Sequence, residues 1–386
     1  ETYYKLVDLL DRELSVRPSR AIEELYHSVL EAKRTHKLTN RLNIRELSFF
    51  GRKQELSQLE EYLSLVETGE AVGPFLVMGQ SGTGKKRLLR QLVLMSNRSF
   101  NFIKVEGKAT SQRYEGSAWN DLRQALEKLG DEMGISLLEE EDDLISVWNQ
   151  LQGLSKEKPL LILLENAQWF DAVSLEKVKQ LEERRNQEKW QLIFTAEEPL
   201  PASFVNFLGS LKVEKRLSQL ELTNFEPSES RALLKGELGA IEPAVMEQMV
   251  EWSEGSPFLL SSYIEEWKEN ENLEPLPDII QAYLSQELGD MSSEEEALLH
   301  YLSCFHKPIS LSILAELTAT ELPVLTELIE PLSERAIVSI VEEDEALLVQ
   351  FCKQLVAMYF YHLLSPARRR LFHQQIAQKL EESLED

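Results

Sequence analysis

Two cysteines in 386 residues, Cys304 and Cys352, leave this chain without a disulfide framework and without a thiolate zinc set. Long hydrophobic runs are missing too. The best candidate, PLLILLENAQWF at 159–170, is shorter than a bilayer span and polar towards its end, which argues against a membrane helix. The opening ETYYKLVDLLDRELSV is charged from its first residue, unlike a signal peptide, and its lack of Met reads as a piece of a longer polypeptide. A cytoplasmic protein with no membrane partner is the expectation. Basic residues are scarce, 41 Lys and Arg against 66 Asp and Glu, for a formal charge of −25. Cationic contacts to phosphates supply most non-specific nucleic-acid affinity, so a chain this acidic is a poor DNA binder as a whole. Histidine is sparse as well: His300, His306, His362 and His373 lack metal-ligand spacing, and no nucleophile–base set accompanies them.

Apolar residues make up an ordinary 43%, and the length allows two to four domains. Residues 1–36 read as two amphipathic helices, broken at Val16-Arg17-Pro18 with Ser19 as an N-cap. After a polar link, RKQELSQLEEYLSLVE carries leucines at helical spacing. GPFLVMG is then a short buried strand entering a glycine loop, and KKRLLRQLVLMS leaves that loop as a helix. FNFIKVEGKA, KPLLILLENAQWF, WQLIFTAEE and VEKRLSQLEL read as further strands. Between them lie helical stretches, one of them (AWNDLRQALEKLGDEM) expected to end near Gly130. Strands alternating with helices predict a parallel sheet with right-handed crossovers. From about Pro227 the pattern is helical, except for a possible hairpin in AIVSIVEEDEALLVQF that turns at Glu342–Glu345. Helices followed by such a hairpin follow the winged-helix order.

The loop Gly79-Gln80-Ser81-Gly82-Thr83-Gly84-Lys85 has the Gly-x4-Gly-Lys form of a phosphate cradle. Glycines let backbone N–H groups turn inward around phosphate oxygens, and the following helix adds its positive dipole end. Lys85 would then reach the β and γ phosphates. The next position should carry a hydroxyl for Mg²⁺, yet Lys86 stands there. An ammonium could neutralise phosphate charge but could not orient a water through a metal shell. The strand LLILLENAQWFD supplies the other half of such a site. Glu165 stands where a metal-holding acid is expected, and Asn166, which cannot take a proton, replaces the second acid.

At these residues the chain resembles the signal-transduction ATPases with numerous domains (STAND), within the AAA+-like P-loop class. The resemblance runs from FFGRKQELSQLEEYL and FLVMGQSGTGKKRLLRQL through RYEGSAWNDLRQAL, LLILLENAQWFD, LIFTAEEP, LELTNFEPSESRALL and EGSPFLL. It extends to LVQFCKQLVAMYFYHLLSPARRRLFHQQIAQKLEE, and so covers nearly the whole chain at motif level. LVDLLDRELSVRPSRAIEELYHSVL looks like the last helices of a bacterial transcriptional activator domain of the SARP type. The resemblance implies four parts: activator-domain helices at 1–36, a P-loop NTPase α/β domain at 37–222, an all-α lid at 223–275, and a winged-helix domain with C-terminal helices at 276–386. It also implies an adenine box at Phe50-Gly51-Arg52, a Gly-x-Pro motif whose Pro257 packs on the base, and ADP or ATP as ligand. Members of that class usually show Thr or Ser at 86, an acid pair at 165–166, an Arg near the end of the fourth strand and a His after Phe-x near the C-terminal hairpin. Here Lys86, Glu165-Asn166, Glu197 and Lys353 stand instead. Together these departures put Mg²⁺ in doubt and imply a nucleotide-binding switch with little or no hydrolysis. A working ATPase and a nucleotide-free scaffold are the alternatives. The implied partners are other domains of the same regulator and copies of itself, with no direct DNA contact, since residues 276–386 hold 19 Asp/Glu against 7 Lys/Arg.

Overall fold

The computed structural model describes residues 49–385, apart from 69, 71, 110–111, 113, 135–142, 186–187, 214–216, 306 and 344–345. The helices expected within residues 1–36 lie outside them. Two compact units share the chain. One takes the described residues up to Gly79 together with Lys85–Glu221, and the other takes Gln80–Gly84 together with Leu222–Asp386.

The first unit starts with α1 (Lys53–Glu67) and is organised by β1 (Phe75–Met78), α2 (Lys85–Ser96), β2 (Asn101–Glu106), α3 (Ser117–Met133) and α4 (Asp143–Leu154). There follow β3 (Leu160–Glu165), α5 (Ala172–Arg184), β4 (Trp190–Ala196), α6 (Ala202–Val213) and β5 (Ser218–Glu221). The five strands form one parallel sheet in the order β2-β3-β4-β1-β5. β3 and β4 are buried at every residue, so their apolar runs do not alternate. A central parallel strand with both faces covered demands such a run. The edge strand β2 alternates instead, with Ile103 and Val105 buried and Lys104 turned outward. Helix α3 passes the expected stop: Gly130 is buried within it, and the chain leaves the helix at Gly134, in the left-handed conformation that glycine takes without a Cβ penalty. Helices α4 and α6 cover the sheet through Val147 and Leu151 and through Phe204, Phe207 and Leu211, all part of one buried cluster.

The second unit is helical at first: α7 (Pro227–Leu238), α8 (Pro243–Ser253), α9 (Pro257–Asn270), α10 (Asp278–Leu288) and α11 (Ser293–Leu302). Then come β6 (Ile309–Ser310), α12 (Leu311–Thr318), α13 (Leu322–Glu334), β7 (Val338–Glu343), β8 (Ala346–Phe351), α14 (Gln354–Leu363) and α15 (Pro366–Glu385). β6, β8 and β7 make a small antiparallel sheet, with Val338 opposite Phe351 and Glu343 opposite Ala346. The hairpin of β7 and β8 lies within the stretch AIVSIVEEDEALLVQF where the sequence suggests one. Helix starts are marked by capping residues, as at Ser292 and Glu295, whose side chains satisfy each other's backbone N–H groups.

Candidate functional site

In a parallel sheet the loops after the strands converge at the carboxyl ends, and ligands bind there. β1 ends at Met78 and runs into the glycine loop. Gly82 and Gly84 hold φ of 80° and 93°, conformations that an L side chain strains to adopt. A Cβ on Gly84 would meet nothing within 4 Å, so the loop is open at that point. Helix α2 begins at Lys85, and its opening Lys85-Lys86-Arg87 puts three cations on the positive end of the helix dipole. That placement is unfavourable unless anions stand nearby.

The anions that the structure supplies are carboxylates of this chain. Lys85 is buried, and its Nζ donates to the Gly79 carbonyl at 2.8 Å and to Glu197 Oε2 at 3.1 Å. Lys86 is half exposed and donates to Glu106 Oε1. Burial opposes ionisation of Glu106, but the Lys86 hydrogen bond and the charges of Lys86, Lys104 and Lys108 outweigh it and hold this carboxyl below the ordinary Glu range. Glu165, 4% exposed at the end of β3, has Lys104 Nζ 2.8 Å from its Oε2. The β2–β3 register sets Glu106 opposite Glu165 and Lys104 opposite Leu163, so the period-2 pleat brings all four to one face. Three lysines and three glutamates thus close on one another around the sheet end. Glu165, which stands where a metal-holding acid is expected, faces an ammonium. Among the described residues, no group of three His, Cys, Asp or Glu is placed to hold a metal ion.

Asn166 takes a left-handed turn at φ 51°, and its backbone N–H donates to the Thr195 hydroxyl at 2.9 Å. Beside it, a Cβ on Gly107 would come 2.3 Å from the Asn166 carbonyl, so only glycine lets the β2 end pass so close. Asp171, buried four residues after Ala167, is the acid that sequence reasoning did not single out. It accepts from the N–H of Gly116 at 2.8 Å, from the N–H of Ser174 at 2.9 Å and from the Ser174 hydroxyl at 2.6 Å. The Ser three residues after an Asp is a helix N-cap signal, and this one was available in the sequence.

The remaining candidates lie as follows. Gly51 and Arg52 both take left-handed φ just before α1, and Arg52 is buried with its guanidinium 3.0 Å from Glu55. Phe50 is half-buried beside them. In the second unit, Gly82 of the loop accepts a hydrogen bond from Phe258 N–H at 3.1 Å, and a Cβ on Gly82 would stand 2.8 Å from Ser256 Oγ. Pro257 opens α9 at its first turn after the N-cap Ser256. Gly255 has φ 74°, and a Cβ there would strike the Phe225 carbonyl at 2.1 Å. Gly255, Ser256 and Pro257 therefore each have a local structural duty. Lys353 is half exposed at the start of α14 with its Nζ 3.7 Å from Glu287. Gln80 is exposed, Ser81 half-buried and Thr83 buried, the Thr83 hydroxyl donating to the Gln80 carbonyl at 2.8 Å.

A parallel sheet ordered this way, entered by a glycine loop and a lysine-led helix, defines the α/β P-loop NTPase fold. Residues 48–194 match the family model described as AAA ATPase domain. No curated protein matches the chain. Among solved structures, the Aeropyrum pernix ORC2 protein (ADPNP-ADP complexes) is 15% identical with a TM-score of 0.55, covering 88% of this chain and 98% of that one. A Pyrococcus horikoshii STAND protein with a tetratricopeptide repeat sensor is also 15% identical, with a TM-score of 0.38, covering 87% of this chain and 45% of that one. The first likeness extends the shared fold over most of the chain.

Proposed function

We propose that this chain is the nucleotide-binding regulatory module of a bacterial transcription activator. It holds ADP or ATP with little or no hydrolysis and acts as a conformational and assembly switch. The arrangement at the end of β3 carries the reading on hydrolysis. Lys104 is paired with Glu165, Lys86 stands where the metal-holding hydroxyl is expected and Asn166 cannot take a proton. Catalysis needs groups that bind the transition state better than the ground state, and those groups are the ones replaced. The glycine loop and Lys85 remain fit for polyphosphate, whereas the surrounding side chains do not fit Mg²⁺. The ADPNP-ADP complexes of the Aeropyrum pernix ORC2 protein, which is similar in fold, support a purine nucleotide as ligand.

In this reading Phe50, Gly51 and Arg52 line the adenine, Pro257 packs on the base, and Gly79–Lys86 cradle the phosphates with help from Lys353. The lid is 223–275, and the helices and hairpin of 276–386 form a winged-helix module. The acid run Glu342–Glu345 in the sequence would repel a phosphate backbone, so the module serves contacts with other domains and copies of the regulator. None of the described helices is long and apolar enough to cross a membrane. A switch requires unequal nucleotide affinity in its two states. The Gly82–Phe258 hydrogen bond ties the phosphate loop to the start of α9, so a ligand in the loop would act on that helix start.

Turnover with Mg²⁺ and ATP, measured beside Lys85→Ala, is the test. Wild type is expected to release phosphate no faster than that variant. Sustained turnover that Lys85→Ala abolishes would restore the working ATPase.

A further inference from the structure

Glu197 follows the last residue of β4, and β4 lies between β1 and β3 in the sheet. Its carboxylate therefore sits at the carboxyl end of the sheet, flanked by the strand that feeds the glycine loop and the strand that ends in Glu165. It is turned onto Lys85 Nζ at 3.1 Å, and the two side chains are 28% and 7% exposed. A carboxylate at a strand end has water available to it, yet this one faces the buried ammonium that leads α2. In a loop of this form the lysine meets the β and γ phosphates. An anion already seated on that lysine engages a group that a phosphate would use.

We infer that Glu197 is a resident anion in the place of a terminal phosphate, so that the pocket selects a nucleoside diphosphate over a triphosphate. The inference rests on the nucleotide-binding reading above and assigns its specificity. A diphosphate shares Lys85 with Glu197 and takes its remaining contacts from the N–H groups of the glycine loop. A third phosphoryl group brings further negative charge into the space that the carboxylate holds. Two like charges about 4 Å apart at a protein surface repel strongly enough to lower affinity tenfold or more. Lys86 and Lys104 are already paired with Glu106 and Glu165 and so do not relieve that repulsion. Glu197 is partly exposed, so its replacement leaves no cavity in the core. The plainer role, a counter-ion that keeps a buried lysine satisfied, would show up as lost stability with no preference between nucleotides.

The two roles separate in a titration of the full chain with ADP and with ATP in EDTA, on wild type, Glu197→Gln and Glu197→Ala, each checked for folding by thermal melting. Wild type is expected to bind ADP at least about tenfold more tightly than ATP. Both variants should close that gap by gaining ATP affinity. A ratio of ATP to ADP affinity that stays the same in wild type and both variants overturns the selectivity while leaving the nucleotide site standing. Absence of binding by either nucleotide at millimolar concentration in all three proteins removes the nucleotide site, and the selectivity with it.

Discussion

Asp171 ties two helix starts to one carboxylate. It is the N-cap of α5, and it also accepts from Gly116, whose own left-handed φ and missing side chain leave α3 without a cap of its own. Ser174 completes the arrangement by accepting from Trp119 N–H at 2.9 Å. Burial opposes the charge on Asp171, but the hydrogen bonds from Ser174, Gly116 and Ala118 outweigh it and hold the carboxyl below the ordinary Asp range. A depressed folded pKa gives stability that is complete above the unfolded value and lost as pH falls through the folded one. Asp171→Asn is therefore expected to cost about 2–3 kcal/mol near neutral pH, a loss that shrinks below about pH 4. Denaturant unfolding of both proteins across that range measures it. A difference that persists undiminished in acid would mean that the carboxylate charge is not what the helices use.

At the scale of elements, the start of α9 makes the sharpest case. Gly255 has φ 74° and abuts the Phe225 carbonyl, while its neighbour Ser256 accepts from Leu259 N–H as an N-cap. Gly255→Ala should destabilise by at least about 1–3 kcal/mol from backbone strain alone. Ser256→Ala should cost about 1 kcal/mol. Melting curves that rank the two the other way would contradict this account of the helix start. Elements of this kind differ in how plainly the sequence announces them. β3 and β4 are legible because a strand buried on both faces has to be apolar throughout. The end of α3 was misplaced because two glycines offer a stop, and only packing decides that Gly130 continues the helix while Gly134 ends it. α4 escaped notice behind the acidic run Glu139–Asp143, although Leu144, Val147, Leu151 and Leu154 recur at helical spacing. The loop lysines and Glu165 could be read from spacing within a motif. Glu197 stands out at the end of the fourth strand, but its pairing with Lys85, like Glu106 and Lys104 themselves, could not be read, because those pairings follow from strand order and register.

The whole molecule carries 25 excess negative charges, and an anionic ligand enters that field unfavourably. Salt confines such fields to about 8 Å at physiological strength, so the lysines next to the loop decide the matter locally. Those lysines already hold carboxylates. In the proposed reading, binding of a polyphosphate is an exchange of anions on these ammonium groups that does not call for magnesium. The most direct test is a calorimetric titration of the full chain with ADP, once in EDTA and once in excess Mg²⁺. The account predicts the same affinity in both to within about threefold, less than 1 kcal/mol. ADP binding that appears only with the metal, or that tightens tenfold when it is added, would contradict it.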